Sequence, residues 1–286
     1  MRLPRMKDIK SKLFSAKLLG VVVKNSLTFK LKHGTMPRFR ATEFDTVIVD
    51  MDGTLYRTDA NLEALALAYP EILDSGKSSG EELYNSLFSK IASGEYGIEK
   101  GIAEGNKFLM AKKFGRRDFE KLVAIISPFL RKPLIKALLS IKESGKTMVL
   151  ATLSSKDFGE ILNRHIKAKF GFSFDHVVGT ELKFDSEGQI CGISSIVGTK
   201  DFIFEDLPVR SKLTAIKEAI EASGKKFDIR KSVLITDSYG DIDLAKMMVT
   251  VLIKQHNPTS AQKVSYRLNL ADYVLQDNRH FQTNLE

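Results

Sequence analysis

Short apolar runs rich in β-branched residues recur along the chain, separated by longer stretches in which apolar and polar positions mix. These runs are TVIVD (46–50), TMVLAT (147–152), HVVGTEL (176–182), SVLIT (232–236) and TVLIK (250–254). Their length and composition are typical of strands, and unbroken apolar runs are typical of strands buried on both faces. The pattern therefore predicts five strands in this order.

Helical periodicity occupies much of the space between the later runs. In KLTAIKEAIEA (212–222), Leu213, Ile216 and Ile220 fall on one helix face, and a second helix is expected from residue 156 to about residue 169. A hairpin is expected around DSEGQI, after the third run. Strands that alternate with helices predict an α/β fold, with a Rossmann-like, mostly parallel sheet between two helical layers.

Residues 60–131 depart from this alternation. The segment is rich in Ala, Leu, Glu and Lys, is interrupted by DSGKSSGEE and SGEYGIEKG, and contains no convincing strand pattern. It predicts several short helices between the first and second strands. We therefore expect a core formed by residues 44–58 and 132–286, an inserted helical domain at 59–131, and an N-terminal extension at 1–43.

Composition narrows the class of protein. The 286 residues are 43% hydrophobic and 28% charged, as is usual for a soluble globular protein. The single cysteine, Cys191, excludes an intramolecular disulfide, which fits a reducing compartment such as the cytoplasm. No Cys/His cluster has the spacing of a zinc site. Nothing in the sequence indicates an oligomeric state.

The net charge of +9 is confined to one end of the chain. Residues 1–43 contain eleven Lys/Arg and two acidic residues, whereas the remainder contains 33 of each sign. A neutral main body does not indicate a nucleic-acid-binding surface. The extension lacks a proper apolar h-region and a small-residue cleavage site, so we do not expect a secretory signal. Its apolar run 18–23 is too short to span a bilayer. Three interpretations stay open: a helix packed on the core, peripheral contact with an anionic membrane or other anionic partner, and an organellar targeting segment.

Polar residues stand at the ends of the predicted strands, where open α/β sheets bind ligands. Asp50 and Asp52 follow the first strand, Thr152 ends the second, and Asp237 follows the fourth, with Asp241 four residues later. Lys212 begins the helix at 212–222. Carboxylates clustered in this way repel each other unless a cation lies among them, and oxygen ligands of this kind suit Mg²⁺.

A phosphate would fit the same position. Thr152 precedes a predicted helix N-terminus, where free N–H groups favour an anion. Lys212 at the start of a helix is unfavourable for the helix dipole unless an anion lies between them. Carboxylates with a magnesium ion, a hydroxyl, helix N–H groups and a lysine together indicate a phosphate pocket.

The order and spacing of these residues resemble the haloacid dehalogenase-like superfamily over nearly the whole chain after residue 44. The superfamily's Asp-x-Asp-Gly-Thr motif matches DMDGT (50–54), its strand-ending Thr or Ser matches Thr152, its lysine matches Lys212, and its acidic Asp-x-x-x-Asp motif matches DSYGD (237–241). The segment after Thr152 is similar to the branch related to phosphoserine phosphatase. The resemblance implies a Rossmann-like core with a helical cap, the cap being residues 59–131.

Residue roles follow from the resemblance. It implies that Asp50 is a nucleophile that forms an aspartyl-phosphate, and that Asp52 is a general acid and then a general base. Mg²⁺ would be bound by the Asp50 carboxylate, the Asp52 backbone carbonyl and Asp237; Asp241 would either ligate through water or orient Lys212. Thr152 and Lys212 would hold the phosphoryl oxygens.

The acid at position 52 is similar to that of phosphatases and phosphomutases, which must protonate a leaving alkoxide. The resemblance implies a phosphatase that hydrolyses a small phosphorylated metabolite. A phosphomutase, or a binding protein that works through the basic extension, are the alternatives. LYRTD and TLSS depart from the glutamate and the Ser-Gly-Gly motif of phosphoserine phosphatase, which argues against phosphoserine. Tyr56, Arg57 and Asp59 are the candidate substrate contacts.

Overall fold

A nine-stranded sheet forms the centre of the protein. Its strands, in chain order, are β1 (Thr46–Asp50), β2 (Thr147–Ser155), β3 (His176–Phe184), β4 (Ile190–Gly198), β5 (Phe202–Phe204), β6 (Leu207–Ser211), β7 (Ser232–Thr236), β8 (Val249–Lys254) and β9 (Tyr273–Gln276). The spatial order is β5-β6-β4-β3-β2-β1-β7-β8-β9. This computed structural model describes residues 43–237, 241–254 and 273–276, so the predicted extension 1–43 lies outside it except for its last residue.

Helices occupy the connections between the strands. They are α1 (Ala60–Ala68), α2 (Ser79–Ala92), α3 (Ile98–Ala111), α4 (Arg116–Ile126), α5 (Lys132–Glu143), α6 (Lys156–Phe170), α7 (Lys212–Ala222) and the short α8 (Ile242–Ala245). Short 3-10 helices lie at Ser127–Phe129 and Ile229–Lys231. Among these described helices, none is long and apolar enough to cross a membrane. Helices α1 to α4 lie between β1 and β2, as expected, whereas the domain boundaries at 59 and 131 stay a prediction.

The strand pairing confirms the predicted α/β class. β3, β2, β1, β7, β8 and β9 are joined by parallel pairs, and β3 and β4 form the expected antiparallel hairpin. All five predicted strands are present. Three details differ from expectation. The strand β9 was not predicted. β2 continues past residue 152 to Ser155, and an unpredicted hairpin joins β5 to β6 through Glu205 and Asp206, both of which have positive φ.

Alternation along β1 explains why helices cover both faces of the sheet. Successive strand residues point to opposite faces, and all five residues of β1 are buried. Val47 and Val49 pack into one apolar cluster with residues of α5 and α6, whereas Ile48 packs into a second cluster with Ile216 and Ile220 of α7. Each such buried side chain stabilises the fold by about 1.5–3 kcal/mol. β1 is therefore fixed at the centre of the molecule.

The two crossings between the helical segment and the sheet lie side by side. Tyr56 forms an antiparallel bridge with Leu130, and the Arg131 backbone N–H donates to the Leu55 carbonyl at 3.0 Å. The Arg131 side chain is fully buried, and its Nη2 donates to the Gly53 carbonyl at 2.9 Å. The chain therefore leaves β1 and returns toward α5 at one place, directly beside the DMDGT loop.

Candidate active site

The predicted strand-end residues meet at one edge of the sheet. Asp50 is the last residue of β1 and lies opposite Ala151 of the parallel strand β2. Thr236 ends β7 on the other side of β1, and Asp237 follows it directly. Because the carboxyl ends of parallel strands share an edge, the two aspartates approach each other there. Lys212, the first residue of α7, reaches the same edge from outside the strand pairs.

Asp50 is buried among charged and hydroxyl groups. Its Oδ1 accepts a hydrogen bond from Lys212 Nζ at 2.8 Å, and its Oδ2 accepts one from Thr54 Oγ1 at 3.3 Å. The Thr54 hydroxyl also lies 2.9 Å from Asp237 Oδ1. Lys212 Nζ donates to Asp241 Oδ1 at 2.6 Å. Three carboxylates and one ammonium thus converge within one buried cluster.

Asp241 mainly positions the Lys212 side chain in this arrangement. One of its carboxylate oxygens binds Lys212, and the other accepts a hydrogen bond from Thr236 Oγ1 at 2.7 Å. Asp241 is 2% exposed, and both oxygens are in use. Of the two roles that the resemblance implied for Asp241, the contacts favour orientation of Lys212 over ligation through water.

The charges of this cluster act on one another. Burial raises the pKa of Asp50 well above its ordinary value; the Lys212 ammonium lowers it, and the Asp241 and Asp237 carboxylates raise it further. Burial alone would lower the pKa of Lys212, but Asp241 and Asp50 outweigh it and hold that pKa above its ordinary value. Lys212 is therefore a fixed positive charge that only partly balances three acids.

The turn after Asp50 requires a glycine. Gly53 has a φ of +72°, a region that glycine enters at little cost. A Cβ at this position would lie 2.3 Å from Asp237 Oδ2, so any other residue would displace the carboxylate. The Asp237 backbone N–H also donates to Thr54 Oγ1 at 2.9 Å. The DMDGT loop and the end of β7 are therefore packed directly against each other.

Asp52 has surroundings of another kind. Its Oδ1 accepts hydrogen bonds from Tyr56 OH at 2.5 Å and from the Ala60 backbone N–H at 2.6 Å. Its Oδ2 accepts from Ser154 Oγ at 2.7 Å and from Thr152 Oγ1 at 3.3 Å. All four donors are neutral: Tyr56 lies just after the DMDGT loop, and the others come from α1 and from β2. The predicted contact of Thr152 with the site is therefore made through Asp52.

The three candidate substrate contacts have different positions. Tyr56 is fully buried, and its hydroxyl faces Asp52, whose charge together with burial raises the pKa of Tyr56. Asp59 is the N-cap of α1 and accepts a hydrogen bond from Tyr84 OH at 2.7 Å. Arg57 is exposed. The geometry of Tyr56 and Asp59 favours support of Asp52 over direct substrate contact; a substrate role for the three residues stays a prediction.

Ser154 and Asn61 were not predicted. Asn61 Nδ2 donates to Ser154 Oγ at 2.9 Å, which in turn donates to Asp52. Residues two apart in a strand share a face, so alternation from Thr152 could have identified Ser154. Asn61 gave no such signal, because its contact depends on where α1 lies against the sheet.

Comparisons with known proteins bear on the family and the fold. The sequence model of haloacid dehalogenase-like hydrolases matches residues 47–246. A solved protein of unknown function from Bordetella pertussis Tohama I is 16% identical, with a TM-score of 0.57 over 84% of this chain and 99% of its own. A phosphoserine phosphatase solved as a phospho-aspartyl intermediate analogue is 15% identical, with a TM-score of 0.55 over 84% and 96%.

A nucleotidase shares the same architecture. Cytosolic 5'-nucleotidase IIIB, solved with cytidine, is 13% identical, with a TM-score of 0.52 over 85% of this chain and 83% of its own. No curated protein matches the sequence. At these identities the likeness to solved structures establishes the fold, and the substrates named for these proteins belong to them.

Proposed function

Because the chain belongs to the haloacid dehalogenase-like hydrolase family, we propose that it is a Mg²⁺-dependent phosphatase that acts through an aspartyl-phosphate on Asp50. The family match covers more than half of the chain, so the family inferred from the motifs is confirmed. The observation that carries the proposal is the contrast between two neighbouring carboxylates. Asp50 lies against the Lys212 ammonium, whereas Asp52 is held by neutral donors.

The first step transfers the phosphoryl group to the enzyme. A carboxylate oxygen of Asp50 attacks the phosphorus of a small phosphomonoester, and the bond from phosphorus to the ester oxygen breaks. The leaving oxygen takes a proton from Asp52, which must enter this step protonated. Lys212 and the Thr152 hydroxyl offset the negative charge that develops on the phosphoryl oxygens.

The second step restores the enzyme. Asp52, now a carboxylate, takes a proton from a water molecule as that water attacks the phosphorus, and the bond from phosphorus to Asp50 breaks. Inorganic phosphate leaves. The same residue acts as acid and then as base, so its orientation toward the phosphorus matters in both steps.

The residues at this edge fit a divalent cation. The carboxylates of Asp50, Asp237 and Asp241 outnumber the single ammonium of Lys212, and Asp50 and Asp237 approach the same hydroxyl. Within the described residues no three acidic, His or Cys side chains form a ready-made metal cage; Mg²⁺ commonly uses one or two carboxylates with water and phosphate. Asp50, Asp237 and the Asp52 carbonyl would hold it, and it would neutralise charge on the phosphoryl group.

Phosphate release from p-nitrophenyl phosphate tests the proposal. Activity should require Mg²⁺, disappear with excess EDTA and return when Mg²⁺ is added back. Asp50→Asn preserves the shape of the side chain and should lower kcat at least roughly 10³-fold, because the nucleophile is lost. Asp45→Asn, at an exposed ion pair with Lys231, is the matched control. Equal phosphate release by wild type and Asp50→Asn would refute the assignment.

Several finer assignments belong to the same proposal. Helices α1 to α4 would act as a cap that covers the site and selects the organic part of the substrate. A phosphomutase is distinguished by isomer formation from a sugar phosphate without net phosphate release. A binding protein that uses the basic extension is distinguished by vesicle flotation of the chain with and without residues 1–37. A cytoplasmic location, peripheral to a membrane or not, stays a prediction.

A further inference from the structure

The first turn of α1 is shared between two carboxylates. Helix N-termini carry backbone N–H groups that have no partner within the helix. Here the Ala60 N–H donates to Asp52 at 2.6 Å, while the N–H groups of Asn61 and Leu62 donate to Asp59 Oδ1 at 2.8 and 3.2 Å. Any displacement of this turn relative to β1 changes the hydrogen bond on Asp52.

The same turn reaches the second oxygen of Asp52 by another route. Asn61 donates from its side chain to Ser154 Oγ, and Ser154 donates to Asp52 Oδ2. Both carboxylate oxygens of Asp52 are therefore connected to the start of α1, one directly and one through β2. The orientation of the Asp52 carboxylate consequently depends on the position of α1.

Helix α2 fixes α1 from the other side. Tyr84 of α2 donates to Asp59 Oδ2 at 2.7 Å, and its ring stacks on Phe88. The backbones of α1 and α2 also approach closely, since a Cβ on Gly80 would lie 2.0 Å from the Leu65 carbonyl oxygen. The two helices therefore form one packed unit, and Asp59 is the polar link between α2 and the turn that holds Asp52.

We propose that Tyr84 and Asp59 are positioning residues that orient the Asp52 carboxylate through the first turn of α1. This inference rests on the proposed function of Asp52 as acid and base. Neither residue reaches the reacting atoms. Their effect is to set where the Asp52 oxygens lie when the leaving group must be protonated, and so to make that proton transfer depend on the packing of α2.

A purely structural role of the same residues predicts a different result. If Tyr84 and Asp59 only stabilise the helices, their loss reduces the amount of folded enzyme and lowers activity toward every substrate by the same factor. If they position Asp52, the loss depends on how much the leaving group needs a proton. p-Nitrophenolate leaves readily without one, whereas phenolate depends on the general acid.

The test compares kcat/KM for p-nitrophenyl phosphate and phenyl phosphate, which have nearly the same shape. Under the proposed mechanism kcat/KM reports steps up to transfer of the phosphoryl group, so hydrolysis of the phosphoenzyme does not enter it. Tyr84→Phe should lower kcat/KM for phenyl phosphate about tenfold and for p-nitrophenyl phosphate less than about threefold, since one hydrogen bond is removed. Tyr69→Phe is the control: it removes a hydroxyl that donates to the Phe108 carbonyl within the helical segment. It should change kcat/KM for the two substrates by the same factor.

Unfolding measurements test the link without any activity. Sites that do not touch usually give additive effects on stability. Because Asp59 links the two sites, the Tm shift of the double variant Tyr84→Phe/Asp52→Asn should differ from the sum of the two single shifts by more than about 1 °C. The Tm shifts of Tyr69→Phe and Asp52→Asn should be additive. Equal loss on both substrates together with additive Tm shifts would overturn the inference. Absence of hydrolysis by wild type would instead refute the proposed function and leave the Tm comparison decisive.

Discussion

Asp50 and Asp52 are separated by one residue, yet the chain surrounds them with different groups. The Asp50 region comprises Asp50, Thr54, Lys212, Asp237 and Asp241, and it is held by charge in the buried end of the sheet. The Asp52 region comprises Asp52, Tyr56, Ala60, Asn61, Thr152 and Ser154, and hydroxyls and one helix N–H group hold its carboxylate. The residues that contact Asp50 come from the DMDGT loop or from the core around the sheet. The residues around Asp52 also include Ala60 and Asn61 of α1.

This difference matches what the two residues are proposed to do. A nucleophile must keep one position, and the Lys212 ammonium both fixes Asp50 and favours its charged form against the effect of burial. A group that gives and then takes a proton must exist in both protonation states. Asp52 is bonded to hydroxyls and a helix N–H group, with no cation among its described hydrogen bonds. Contact with α1 also allows the helical segment to influence its position.

Removal of the charge in the Asp50 region should have the largest effect. Lys212→Gln leaves Asp50 and Asp241 without their shared cation; loss of one partner of a buried ion pair costs about 3–5 kcal/mol. We also expect kcat to fall at least roughly 10²-fold, because the variant lacks the positive charge that stabilises the phosphoryl oxygens in the transition state. Urea unfolding and phosphate release measure both.

Lys231→Gln is the control for this substitution. Lys231 forms an exposed ion pair with Asp45 at 3.5 Å, and such pairs contribute about 0–1 kcal/mol. Its stability and activity should stay close to those of wild type. If Lys212→Gln were no less stable than Lys231→Gln, the description of the Asp50 region as one held by charge would be wrong.

Removal of one neutral donor from the Asp52 region should have a smaller effect. Ser154→Ala deletes the hydroxyl that donates to Asp52 Oδ2, and one such hydrogen bond contributes about 1 kcal/mol. We expect kcat/KM to fall roughly fivefold and Tm to fall by only about 2–4 °C. Ser140→Ala, at an exposed position of α5, is the control. A loss as large as that of Lys212→Gln would contradict the proposed contrast.

The pH dependence of stability should show how burial and the charge of Asp52 act on the neighbouring Asp59 carboxylate. Burial, with the charge of Asp52, raises the pKa of Asp59 from 3.8 to about 7. The folded protein therefore binds more protons at Asp59 than the unfolded chain does between about pH 4 and pH 7, so the contribution of Asp59 to stability falls as the pH rises through that range.

Asp59→Asn removes this penalty and keeps an oxygen that caps α1. Relative to wild type, the variant should gain stability between about pH 4.5 and pH 8. A tenfold change in proton affinity corresponds to about 1.4 kcal/mol, so the gain is at most about 4 kcal/mol. Denaturant unfolding at several pH values measures it. Parallel stability curves for the two proteins would show that the surroundings of Asp59 do not raise its pKa in this way.

The Asp50 region was largely predictable from the sequence. Asp50 and Asp237 follow apolar runs that could only be buried strands, and parallel strands bring their carboxyl ends together. Lys212 begins a helix whose dipole disfavours it, which indicated an anion nearby. In each case a local sequence pattern, combined with a general rule about sheet topology or the helix dipole, located the residue.

The Asp52 region was less predictable. Tyr56 was identified, but its burial and its bond to Asp52 were not, and Asn61 and Ser154 were missed. Their contacts depend on the position of α1 and on the three residues by which β2 extends past Thr152. The serines in this extension favoured a helix N-terminus over a strand. Local periodicity does not encode how one helix lies against the end of a sheet.

Trapping of the phosphoenzyme shows whether Asp50 is the nucleophile. The protein is mixed with a phosphomonoester and Mg²⁺, quenched with acid and reduced with borohydride, which converts an acyl phosphate into an alcohol that peptide mass spectrometry locates. The prediction is conversion of Asp50 to homoserine in wild type and none at that position in Asp50→Asn. Conversion of another residue, or none in a protein that releases phosphate, would contradict it.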